Sequence, residues 1–78
     1  MGTVTVMYTL KTARERAGFT QIEAAKALGI STDTLGNYER GKSYPDIPVL
    51  KKIESLYGVP YDQIIFLPFD YDKTVNMI

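Results

Sequence analysis

Between Gln21 and Arg40 the chain carries short polar side chains, Ser31, Thr32, Asp33 and Asn37, closed by Arg40 and followed by Lys42, Ser43 and Tyr44. Hydroxyls, a carboxylate, a carboxamide and cations can together donate and accept hydrogen bonds and neutralise an anion. Bond-breaking chemistry is much harder to assemble here. The sequence has no cysteine and no histidine, which excludes disulfides, thiol nucleophiles, Cys-ligated zinc, iron–sulfur clusters, a Ser-His-Asp triad and H-E-x-x-H zinc sites. Asp, Glu, Lys and Tyr remain, but no convergent acid/base pair stands out. Asp70-Tyr71-Asp72 lacks the glycine and distal glutamate of a calcium loop and reads as a turn. The expectation is a protein that works by recognition, not an enzyme, with no metal, cofactor or small-molecule ligand.

The elements that position these residues follow from punctuation and period. Leu10, Ala13 and Ala17 share one helical face, and Gly18 supplies a stop. Thr20-Gln21-Ile22-Glu23 is a capping box opening a helix of about two turns, with Ala24, Ala25 and Leu28 inward and Gly29 at its end. Ser31 is an N-cap for a helix over Thr32–Arg40, closed by Gly41, with Leu35 and Tyr38 inward. Asp46 caps the next helix, Pro48 is tolerated in its first turn, and Ile47, Leu50, Ile53 and Tyr57 form its apolar stripe up to Gly58. Residues 60–65 allow a fifth, short helix. Residues 3–8 and 73–78 have strand character, which predicts an antiparallel two-stranded ribbon from the two termini.

With 78 residues the chain fits one domain, spanning 1–78 with its core at 9–66. Its 45% apolar and 23% charged residues give the balance of a globular chain rather than a disordered one. Nine basic and nine acidic residues cancel, with a slight basic excess before residue 46 and a slight acidic excess after it. The longest apolar run, Ile64 to Leu67, is far short of the ~20 residues that span a bilayer. No basic segment precedes an apolar one at the N-terminus, so the expected location is cytoplasmic.

Two short helices joined by a turn of about three residues containing Gly29 make a helix-turn-helix outline. Ala25, four residues before Gly29, is small enough for the second helix to approach the first. Gly29 can adopt positive φ at no steric cost. That packing leaves Thr32, Asp33, Gly36 and Asn37 on the outer face of the second helix.

Thr20-Gln21, Ala25, Leu28-Gly29-Ile30-Ser31, Glu39-Arg40-Gly41, Pro45, and the stretch from Leu50 to Gly58-Val59 resemble the Cro/repressor-type (xenobiotic-response-element, XRE) helix-turn-helix family. The similarity runs without a gap over residues 10–66, about three quarters of the chain. The resemblance implies a mainly α, five-helix DNA-binding domain whose third helix enters the major groove of double-stranded DNA, usually as a two-fold dimer. It places Ser31, Thr32, Asp33, Gly36 and Asn37 at or beside base-reading positions. Asn37 suits adenine N6/N7, the Thr32 methyl a thymine methyl, and Asp33 the N4 amine of cytosine. Gln21, at a helix N-terminus, and Arg40, Lys42, Ser43 and Tyr44 would contact phosphates.

Two positions depart from that pattern. Asp33 sets a carboxylate close to phosphates, and Gly36 leaves a reading position bare, which shifts weight toward DNA shape. Asp33 has a second reading as a helix-dipole partner and Asn37 as a solvated residue. Arg14 fits either a phosphate or an internal partner such as Glu39. Phe66, Phe69, Tyr71 and Val75 are candidates for a dimer interface, because the C-terminal segment carries more apolar surface than a monomer of this size readily buries. The function implied is a dimeric transcriptional regulator, a repressor of a near-palindromic site. The alternative is an antitoxin or adaptor that uses the same fold to hold a protein partner.

Overall fold

The computed structural model describes residues 6–66. Over this range the chain forms a short strand β1 (Tyr8–Thr9), helices α1 (Leu10–Arg16), α2 (Gln21–Leu28), α3 (Thr32–Arg40) and α4 (Ile47–Tyr57), a single 3₁₀ turn (Tyr61–Gln63) and a strand β2 (Ile64–Ile65).

Each helix is delimited by local chemistry. Thr20 and Glu23 form the reciprocal capping box: the Glu23 amide donates to Thr20 Oγ1 at 3.1 Å and the Thr20 amide donates to Glu23 Oε1 at 2.9 Å. Thr9 and Thr12 make a second box at the start of α1, which satisfies amides that the first turn would otherwise leave orphaned. Ser31 caps α3 by accepting from the Thr34 amide at 3.0 Å, and Asp46 caps α4 by accepting from the Val49 amide at 3.1 Å. Gly29 closes α2 in the left-handed region, at φ 75°, and its N–H reaches back to the Ala25 and Lys26 carbonyls. The turn from α2 into α3 is made there.

The core is one cluster of Leu10, Ala13, Ala24, Ala25, Leu28, Leu35, Ile53, Tyr57, Val59 and Ile64. Leu10, Leu28, Leu35 and Ile53 are its largest fully enclosed side chains. Each stabilises the fold by about 1.5–3 kcal/mol through burial of apolar surface. Ala25 is buried where α2 meets α3, which lets the two helices approach closely.

Three expectations are corrected. The fifth helix is only a 3₁₀ turn: Pro60 precedes it with no side-chain cap, and the β-branched pair Ile64–Ile65 leaves it for a strand. Tyr8 pairs with Ile64 and Thr9 with Ile65 in parallel register, so the sheet is not an antiparallel ribbon of the termini. A two-residue parallel pair forms because the chain crosses the whole helical core between its strands. Residues 3–5 and 73–78 of the expected ribbon lie outside the described residues. On α4, Ile47 does not join the inward stripe and stays 66% exposed. Among the described residues no helix is long and apolar enough to cross a membrane.

Candidate nucleic-acid interface

At 100° per residue, Thr32, Asp33, Gly36, Asn37 and Arg40 fall on one arc of α3, of about 140°. Leu35 is buried on the opposite side, and Thr34, Tyr38 and Glu39 accompany it half-buried. Asp33 and Arg40 are exposed, whereas Thr32 and Asn37 are partly covered. The predicted outer face therefore exists, with Arg40 near its middle.

Arg40 does not extend into the following loop. Its guanidinium folds back along the helix, donating from Nη2 to Asn37 Oδ1 at 2.8 Å. A Cβ built on Gly36 would stand 3.1 Å from Arg40 Nη1 and 3.7 Å from Gln21 Nε2. Gly36 is thus not bare. It is buried beneath the Arg40 head group, beside the Gln21 carboxamide. The spacing carried this signal, because Arg40 lies three residues after Asn37 and four after Gly36, and long side chains on a helix lean toward its N-terminus. The sequence reading placed Arg40 at the end of the helix as a phosphate contact and did not foresee this fold-back.

Behind this face sits a buried ion pair. Arg14 Nε donates to Glu39 Oε2 at 2.7 Å, with side-chain exposures of 8% and 6%. Arg14 Nη1 also donates to the Phe19 carbonyl at 2.9 Å, and Gln21 Nε2 donates to Glu39 Oε1 at 3.0 Å. Of the two readings of Arg14, the internal partner is the one present. The Glu39 carboxylate raises the Arg14 pKa through its hydrogen bond, against the opposing effect of burial. One carboxylate thereby ties α1, α2 and α3 together and fixes Gln21 at the first turn of α2.

The remaining predicted positions divide by location. The Ser31 hydroxyl is engaged in its cap, accepting from the Thr34 amide and bonded to Thr34 Oγ1 at 2.8 Å. Lys42, Ser43 and Tyr44 are exposed on the loop after α3. The Lys42 amide donates to the Asn37 carbonyl at 2.9 Å, which anchors the start of that loop. Tyr44 meets the edge of Phe66 at 6.4 Å between ring centroids. Phe66 is half-buried against the core. Phe69, Tyr71 and Val75 lie outside the described residues. The arrangement offers cations and hydrogen-bonding groups on a rigid convex helix. Among the described residues no group of three or more His, Cys, Asp or Glu side chains is placed to hold a metal ion.

A family model described as helix-turn-helix matches residues 10–64. The chain is 46% identical over 56 residues to the HTH-type transcriptional regulator ImmR of Bacillus subtilis, covering 72% of this chain and 44% of that protein. It is 36% identical over 70 residues to the SPbeta prophage-derived uncharacterized HTH-type transcriptional regulator YonR of the same species, covering 86% of this chain and 65% of that one. It is also 33% identical over 55 residues to the uncharacterized HTH-type transcriptional regulator YazB of Bacillus subtilis, covering 70% of this chain and 80% of the relative. The chain thus spans 44% of ImmR and 65% of YonR. Matched over most of its described length, with the capped α2, the Gly29 turn and the outward face of α3 all in place, the chain belongs to the Cro/repressor-type (XRE) helix-turn-helix family.

Proposed function

We propose that the protein is a DNA-binding transcriptional regulator, a cytoplasmic repressor that binds a near-palindromic operator as a homodimer with α3 in the major groove. The observation that carries this reading is the outer face of α3: polar and cationic residues stand on a helix locked from behind by Leu35 and the Arg14–Glu39 pair. The names of its relatives as transcriptional regulators support the same reading. Thr32, Asp33 and Asn37 face base edges, with Ser31 and Gly36 beside them, while Gln21, Lys42, Ser43 and Tyr44 flank that helix toward the phosphates. Residues 9–66 form the core of one DNA-binding domain within 1–78. The subunit contact involves Phe66 and the segment bearing Phe69, Tyr71 and Val75, holding two α3 helices about 34 Å apart.

The test is duplex binding across a salt series, with operator sequences drawn from a random pool. With Lys42 and one or two basic residues of α1 per subunit at phosphates, roughly four to six phosphates are neutralised per dimer, and log K falls against log salt with a slope of about −4 to −5. Sedimentation of the full chain beside a chain ending at Pro68 tests the subunit contact. Absence of duplex binding at low salt, together with co-purification of an unrelated chain, would replace this reading with the adaptor one.

A further inference from the structure

We propose that Arg40, held by Asn37 over the backbone of Gly36, reads a guanine in each half-site, and that Asn37 acts as its positioning residue rather than as an adenine reader. The inference rests on the DNA-binding reading and names what the middle of that face recognises.

The argument begins with Gly36. A helix interior gains about 1 kcal/mol when glycine is replaced by alanine, so a mid-helix glycine is costly unless its missing side chain is used. Here it is used: the Arg40 head group lies so close over Gly36 that a Cβ would stand only 3.1 Å from Nη1 and push it outward. The same head group is oriented by its 2.8 Å bond to Asn37 Oδ1. Among the described residues the ion pair is Arg14–Glu39, and Arg40 takes no part in it. A guanidinium whose rotamer is fixed before binding loses less freedom on contact.

Donor and acceptor counting then selects the base. Bidentate recognition of adenine needs the Asn37 oxygen to accept from N6–H while its N–H₂ donates to N7, and that oxygen instead accepts from Arg40 at 2.8 Å, which leaves it one lone pair and holds the carboxamide along the helix. What lies at the middle of the face is a fork of guanidinium N–H donors, with the Asn37 amide N–H₂ beside it. Guanine offers two acceptors, O6 and N7, in the major groove, whereas adenine and cytosine each place a donor there.

The test is competition binding of the full chain against operators selected from a random pool, repeated with single base-pair changes and with 7-deazaguanine, which lacks the N7 acceptor. The wild-type protein is expected to prefer one G·C pair per half-site over A·T by roughly 5- to 100-fold and to lose most of that preference with 7-deazaguanine. Arg40→Lys keeps the charge but not the fork, and is expected to flatten this preference to under about 3-fold while retaining most of the affinity for random duplex. Gly36→Ala is expected to lower the same preference several-fold without lowering helicity by circular dichroism or Tm, which shows that the protein is intact. If Arg40→Lys keeps the wild-type base preferences, or the position sensitive to Asn37→Ala is an adenine that Arg40→Lys leaves unchanged, Arg40 is a phosphate contact and the proposal fails while the DNA-binding reading stands. A wild-type chain that binds no duplex at low salt overturns both.

Discussion

Glu39 on α3 accepts from Arg14 on α1 at 2.7 Å, twenty-five residues away in sequence, and the second oxygen of the same carboxylate accepts from Gln21 on α2 at 3.0 Å. The pair is almost enclosed. A motif residue near the end of α3, which the sequence offers as one candidate partner for Arg14, is thus the point where three helices are joined.

Removing one partner leaves the other charge buried and unpaired. Glu39→Gln or Arg14→Met is expected to destabilise the fold by about 3–5 kcal/mol, a large part of the ~5–15 kcal/mol of a small domain. The double substitution Arg14→Met with Glu39→Leu recovers most of that loss, because no uncompensated charge remains. Urea unfolding of the three variants measures it; single losses under about 1 kcal/mol would show that water already reaches the pair.

Tyr57 gives a pH test. Burial, aided by the neighbouring Glu39 carboxylate, pushes its phenol from 10.0 up to about 12. Its hydroxyl is buried with no hydrogen-bond partner among the described residues. The unfolded chain therefore ionises Tyr57 at a lower pH than the folded chain does. The stability tied to the neutral phenol is whole below pH 10 and is lost as pH rises toward 12. Tyr57→Phe removes both the orphaned hydroxyl and this loss. The variant is expected to be at least as stable as wild type at pH 7, and its advantage should grow between pH 10 and 12 in paired thermal unfolding scans. Parallel decline of the two proteins over that range would mean the Tyr57 phenol is no harder to ionise in the fold.

How far the sequence carried the fold differs by element. Caps at Thr20, Ser31 and Asp46 and stops at Gly29, Gly41 and Gly58 were legible, because each is a local rule needing no knowledge of neighbours. The core of Leu28, Leu35, Ile53 and Tyr57 was legible from period alone. Ile64–Ile65 was not: a short apolar run of β-branched residues fits a strand or a buried helix equally, and its pairing with Tyr8–Thr9 is set by tertiary packing. On the outer face of α3 the residue positions were legible and their mutual contacts were not. The fold-back of Arg40 depends on a head group finding Asn37 and an empty Cβ position at once.

Gly29 tests the turn between α2 and α3. Its φ of 75° lies in the left-handed region, yet a Cβ placed there meets nothing within 4 Å. The penalty for a side chain is therefore conformational and not a clash. Gly29→Ala is expected to cost about 1–2 kcal/mol and Gly29→Asn clearly less, since Asn tolerates this region better. Thermal unfolding orders the three proteins as Gly, Asn, Ala. Equal losses for Asn and Ala would point instead to a steric contact at the turn.

The last prediction separates anchoring from reading at the two ends of α3. Lys42 is exposed on the loop after the helix, with its backbone fixed through the Asn37 carbonyl and its side chain in no ion pair among the described residues. If it neutralises one phosphate per subunit, Lys42→Ala weakens every duplex by a similar factor and makes the salt slope of a dimer shallower by about 2. Thr32 opens the helix and is partly covered, and under the proposed function its methyl meets a thymine methyl. Thr32→Ser deletes only that methyl. It is expected to leave the salt slope unchanged and to reduce the preference at a single A·T pair per half-site by about 1 kcal/mol. The two variants should thus fail along different axes, one in salt and one in sequence. A Lys42→Ala protein with altered base preference and an unchanged slope would exchange their roles, placing the loop in the groove and the start of α3 against the backbone.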